Sequence, residues 1–67
     1  MVMPSTVIAS MKYDPASLTL RVVYVSGMVY DYHDVPPGVY ESMRRATSKG
    51  RFLNRHIKGH YPFEKVG

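Results

Sequence analysis

The residues that decide the fold are Gly27-Met28-Val29-Tyr30-Asp31-Tyr32-His33-Asp34-Val35-Pro36-Pro37. Gly27 suits a tight turn, because a residue without Cβ takes positive φ at little cost. Tyr30 and Tyr32 alternate, so they share one face of a strand. Val35-Pro36-Pro37 stops that strand, since proline cannot donate to a ladder and restricts the residue before it. The segment therefore closes a hairpin, builds a strand and hands the chain to a helix.

The hairpin's other arm is Leu18 to Tyr24, rich in β-branched residues, with Leu20, Val22 and Tyr24 alternating. Register follows from the loop. A two-residue loop would set Arg21 opposite Tyr32 and turn Tyr30 and Tyr32 away from Leu20 and Val22. A three-residue loop, Val25-Ser26-Gly27 with Gly27 left-handed, makes a bulged hairpin. It pairs residue 24 with 28, 22 with 30 and 20 with 32. Leu20, Val22, Tyr24, Met28, Tyr30 and Tyr32 then share a face, and Arg21 meets Asp31 on the other. A slip of one residue would exchange the faces, so the three-residue loop is expected. In this register Tyr30 should be substantially buried beside Val22.

Before this hairpin, Val7 to Tyr13 reads as a short, poorly alternating strand, and Asp14-Pro15-Ala16-Ser17 as a turn. Beyond it, Pro37 suits a helix's first turn. Val39, Tyr40, Met43, Ala46 and Thr47 have helical spacing. Glu41 and Arg45 are four apart in the favourable order, worth about 0.3 kcal/mol. Ser48 suits the cap of a second helix, whose apolar stripe is Phe52, Leu53, His56 and Ile57. Gly59 ends it and Pro62 prevents its resumption. The fold class expected is α+β: a three-stranded antiparallel β-sheet, a meander, followed by two short α-helices packed on one face.

A chain of 67 residues makes one domain with a thin core. It contains no cysteine, so no disulfide framework supports that core. No apolar run approaches the roughly 20 residues of a membrane span, and the amino end lacks a signal-peptide pattern. A soluble, cytoplasmic protein is expected. Charge is uneven. From Met1 to Glu41, Lys12 and Arg21 face Asp14, Asp31, Asp34 and Glu41, a net of −2. From Ser42 to Gly67, Arg44, Arg45, Lys49, Arg51, Arg55, Lys58 and Lys65 face Glu64 alone, a net of +6. Between Ser42 and His60 there is no acid. Such asymmetry points to an anionic partner, most often nucleic acid. The bland alternative is a solvated helical face.

The ordered set Tyr13-Asp14-Pro15, Leu20-x-Val22-x-Tyr24, Gly27-x-x-Tyr30-x-Tyr32-x-x-Val35-Pro36, Val39-Tyr40, Ala46-x-Ser48-x-Gly50, Asn54-x-x-Ile57 and Tyr61-Pro62 resembles the KTSC domain. That family is named for its occurrence at the carboxy end of some lysyl-tRNA synthetases, and it also occurs as small free-standing proteins. The resemblance spans nearly the whole chain. It departs at Met11-Lys12, where the pattern has an apolar residue and glycine. Through the synthetase association it implies a link to RNA, by analogy.

Candidate binding residues are Arg44, Lys49, Arg51, Asn54, Arg55 and Lys58. Arg51, Arg55 and Lys58 follow i, i+4, i+7 and would share a helical face, the spacing of a phosphate-tracking ridge. Arg45 is discounted because Glu41 neutralises it. Ser48-Lys49-Gly50-Arg51 could hold a phosphate or acidic side chain at the helix start, or Ser48 could simply cap and Gly50 allow close packing. Asn54 could read a base edge or tie the helix to a loop. Tyr30 and Tyr32 could form a stacking platform, but the register turns them inward. Tyr40 and Tyr61 are then the better-exposed rings. His56 and His60 have metal-ligand spacing, yet Gly59 breaks the helix between them and no third ligand is near. His56 is better read as a half-buried partner of Phe52. No metal or other cofactor is expected. No nucleophile elbow, phosphate loop or paired carboxylate suggests an enzyme. Two functions lead, and a third, a small enzyme, stands far behind them. One is a nucleic-acid-binding module, with single-stranded RNA as the partner. The other is a protein-interaction module, docking an acidic protein on the basic face or a strand on an open sheet edge.

Overall fold

A computed structural model describes residues Ile8 to Gly67. Val7, the expected start of the first strand, lies outside the described residues. Among the described residues, four strands form one antiparallel sheet in chain order: β1 (Ile8–Asp14), β2 (Thr19–Tyr24), β3 (Val29–Tyr32) and β4 (Phe63–Lys65). Two helical segments lie between β3 and β4. These are α1 (Pro37–Arg45) and α2 (Lys49–Phe52), the latter widening into a π-helical turn over Leu53–Ile57.

The central hairpin has the expected register. Leu20 pairs with Tyr32, Arg21 with Asp31 and Val22 with Tyr30. The Tyr24 amide donates to the Met28 carbonyl at 2.9 Å, and Gly27 takes φ 97°. Strand β2 starts one residue later than expected. Leu18 sits in the left-handed region at φ 56°, an unusual conformation for leucine. Its carbonyl accepts the Val35 amide at 2.9 Å, which ties the first turn to the end of β3.

The sheet is one strand wider than expected. β4 pairs with β3, setting Tyr30 against Lys65, Asp31 against Glu64 and Tyr32 against Phe63. Pro62, read only as a helix stop, also precedes this strand, a position proline tolerates. The edge of β3 that a meander would leave open is therefore covered, and the sheet edges are β1 and β4.

One face of the sheet carries the core. Leu20, Val22, Tyr32, Val35, Met43, Leu53 and Ile57 are buried. Burial falls off along β3. Tyr32 is 2% exposed, while Tyr30 is only half-buried. Tyr30 thus lies on the expected face but is less buried than expected, because the core cluster includes Tyr32 and leaves Tyr30 at its margin. At the other side of the core, Tyr13 stacks on Tyr40 at 4.7 Å and 12°. The Tyr13 hydroxyl donates to the Val35 carbonyl at 2.6 Å.

The opposite face is polar. Arg21 grips Asp31 in a bidentate pair, Nε to Oδ1 at 2.8 Å and Nη2 to Oδ2 at 3.0 Å. That hydrogen-bonded guanidinium holds the Asp31 carboxyl below the usual carboxylate range, against the opposing effect of its desolvation. Because the folded form has the lower pKa, the pair's stabilisation is present at neutral pH. It is lost as pH falls from about 3.9, the unfolded value, through the folded one. Urea unfolding at pH 7 and at lower pH should show this loss in the wild type and a smaller one in Asp31→Asn. Equal acid losses would mean that other carboxylates carry the effect.

Candidate functional site

The second helix begins as its sequence dictates. The Ser48 hydroxyl accepts the Arg51 amide at 3.3 Å, capping the helix. Lys49 Nζ donates to the Ala46 carbonyl at 3.4 Å, and Gly50 is buried. The Ser48–Arg51 segment is thus engaged within the chain. The expected Ser48 cap is therefore present, and Gly50 is buried.

Leu53 and Ile57 fasten the helix to the core, and the chain widens between them. The Lys58 amide donates to the Leu53 carbonyl at 2.8 Å, a five-residue step. A wider turn advances less per residue than the about 100° of an α-helix. Lys58 itself is extended, at ψ 125°. The seven-residue step from Arg51 therefore does not return to the same face. Arg51 and Arg55 line one hollow with Ser48, Phe52 and His56. Lys58 lines another with Tyr24, Met28, Tyr30, Tyr32 and Phe63. The expected single ridge is split into an arginine pair and a lysine beside aromatic rings.

Other candidates fall as follows. Arg44, not Arg45, pairs with Glu41, at 3.2 Å and three residues apart. The discount applied to Arg45 belongs to Arg44. Arg44, Arg51, Asn54, Arg55 and Lys58 are all exposed, and Lys49 is half-buried. Asn54 makes no side-chain hydrogen bond among the described residues, so no tie to a neighbouring loop is seen. His56 packs on Phe52 with ring centres 4.6 Å apart, as expected, but it is exposed rather than half-buried. Tyr40 and Tyr61 are half-buried, and the Tyr40 ring is stacked on Tyr13.

Sequence reasoning missed one part of this region. β4 brings Phe63 beside Tyr30 and Tyr32, each at 5.7 Å between ring centres. Tyr24 meets Tyr30 edge-on, at 5.6 Å and 90°. Phe63 is 56% exposed and Met28 42%. The only sequence signal was the alternation of Phe63 and Lys65, too short to define a strand alone. No helix of the described residues is long and apolar enough to cross a membrane.

The family model of the KTSC domain matches residues 4–61. The chain is 41% identical over 61 residues to a lysine–tRNA ligase of Nostoc punctiforme, covering 91% of this chain and 11% of that protein. It therefore spans about a tenth of the length of the lysine–tRNA ligases it matches. It is also 36% identical over 63 residues to a protein of Stutzerimonas stutzeri that is nearly all this domain, covering 92% and 89% of the two chains. The crystal structure of a KTSC domain protein from Yersinia pestis matches it with a TM-score of 0.87 at 34% identity, over 100% of this chain and 94% of that one. By sequence and by fold alike, the chain belongs to the KTSC domain family.

Proposed function

We propose that this domain binds single-stranded RNA through the exposed cations Arg51 and Arg55 of its second helix and Lys58 just beyond it, with Lys49 and Asn54 around them and Arg44, paired with Glu41, contributing less. Its role is binding, without catalysis of its own. The observation that carries the reading is that three of the five acids are engaged away from the second helix. Asp31 is held by Arg21, Glu64 by His33 at 3.2 Å, and Glu41 by Arg44. Among the described residues, Arg51, Arg55 and Lys58 have no ion-pair partner. Uncompensated, exposed cations on and just after one helix favour a polyanion. The lysine–tRNA ligases with a similar segment act on tRNA by name, which favours RNA over other polyanions.

The test is a fluorescence titration with a labelled single-stranded RNA oligomer at low salt, competed with unlabelled RNA and with polyglutamate. Saturable binding that RNA displaces far better than polyglutamate supports the reading. Equal displacement by polyglutamate would turn it toward an acidic protein partner. No saturable binding would end it.

A further inference from the structure

We infer that the hollow between the β2–β3 hairpin, β4 and Lys58 holds an unpaired nucleobase, whose flanking phosphate meets Lys58. This rests on the proposed RNA binding and adds the part that reads the base. The hollow is about 310 Å³, at the lower end of ligand sites. Its floor is the buried Tyr32, and Tyr24, Tyr30, Phe63 and Met28 make its walls.

Three features favour a base there. The first is exposure. Phe63 and Met28 are large apolar side chains, 56% and 42% exposed, and they sit together instead of scattered. The second is shape. Tyr24 and Tyr30 stand at 90° to each other, and Phe63 is tilted 45° from Tyr30. A planar group can lie on one ring and meet the edge of another. The third is chemistry. The hydroxyl of the half-buried Tyr24, 3.5 Å from that of the buried Tyr32, offers a donor and an acceptor to a base edge. Lys58, the extended residue that follows the π-helical turn and lines this hollow, supplies a charge for the phosphate beside that base. Stacking surfaces next to a backbone-tracking cation are how single strands are commonly held. An apolar peptide would leave Lys58 unmatched.

The test compares an RNA oligomer with an abasic ribose-phosphate oligomer of equal length and charge, using wild type, Phe63→Leu and Phe63→Tyr. Phe63 is exposed on an edge strand, so these variants should fold, which circular dichroism checks. The abasic oligomer should bind roughly five- to a hundredfold more weakly than RNA, with a similar salt dependence. Phe63→Leu should lose RNA affinity and Phe63→Tyr retain it. Equal binding of the two oligomers, with salt dependence intact, would overturn the base site while leaving phosphate binding standing. Binding of neither would remove both. Dimerisation that Phe63→Leu abolishes, with the oligomers bound alike, would assign the hollow to a second copy of the chain and overturn the proposal.

Discussion

Replacing Tyr32 with alanine should leave the domain largely unfolded at room temperature. Tyr32 is the largest of the fully buried side chains and is 2% exposed. It lies opposite Leu20 on β2 and Phe63 on β4, so its loss opens a hole between three strands and the helices above. Truncating a buried aromatic costs about 3–5 kcal/mol. A domain this small has little more than that to lose. Burial also pushes the Tyr32 phenol far above the ordinary tyrosine range, with a smaller contribution from the neighbouring Tyr24 hydroxyl. The ring thus sits in a dry site. Tyr32→Phe keeps the ring and should cost about 1 kcal/mol or less. Tyr30→Ala, removing a half-buried ring, should cost about 1–2 kcal/mol. Urea unfolding followed by circular dichroism ranks the three. A larger loss for Tyr30→Ala than for Tyr32→Ala would contradict the burial gradient along β3.

Arg51→Ala, Arg55→Ala and Lys58→Ala should each weaken RNA binding and leave the fold intact. All three side chains are exposed and make no ion pair among the described residues, so little stability depends on them. If each meets one phosphate, each loss should lower the salt slope by about 0.7. The Arg51 and Arg55 losses should be similar across RNA sequences, because phosphates carry no base identity. Arg44→Ala should matter less. Its guanidinium already contacts Glu41, so removing it leaves a smaller change in the charge the RNA meets.

The hairpin was legible because three constraints converged on it. Gly27 allowed a left-handed turn, the apolar alternation fixed the faces, and Arg21 with Asp31 fixed the polar side. A register error would have broken all three at once. The cap at Ser48 and the stop at Gly59, which takes φ 82°, were legible for a similar reason, since each rests on one residue's local chemistry. The fourth strand was not. Phe63–Lys65 is too short to show a period, and it forms because β3 offers it an open edge. The wide turn over Leu53–Ile57 was also hidden. Sequence spacing assumes an α-helical period, and a widened turn leaves no mark in residue type. That one departure moved Lys58 away from Arg51 and Arg55 and beside the aromatic rings. The partner of Glu41 escaped for a subtler reason. Positions three and four residues on are both within reach on a helix, and rotamers decide between Arg44 and Arg45.

RNA binding by this domain depends on whether Arg51 and Arg55 of the second helix meet phosphates. Its most direct test is the salt dependence of binding to a single-stranded RNA oligomer, measured side by side for wild type, Arg55→Ala and Arg44→Ala. Saturable binding at low salt is expected, with a slope reduced by about 0.7 in Arg55→Ala and by less in Arg44→Ala. No saturable binding, or equal slopes in all three proteins, would contradict it.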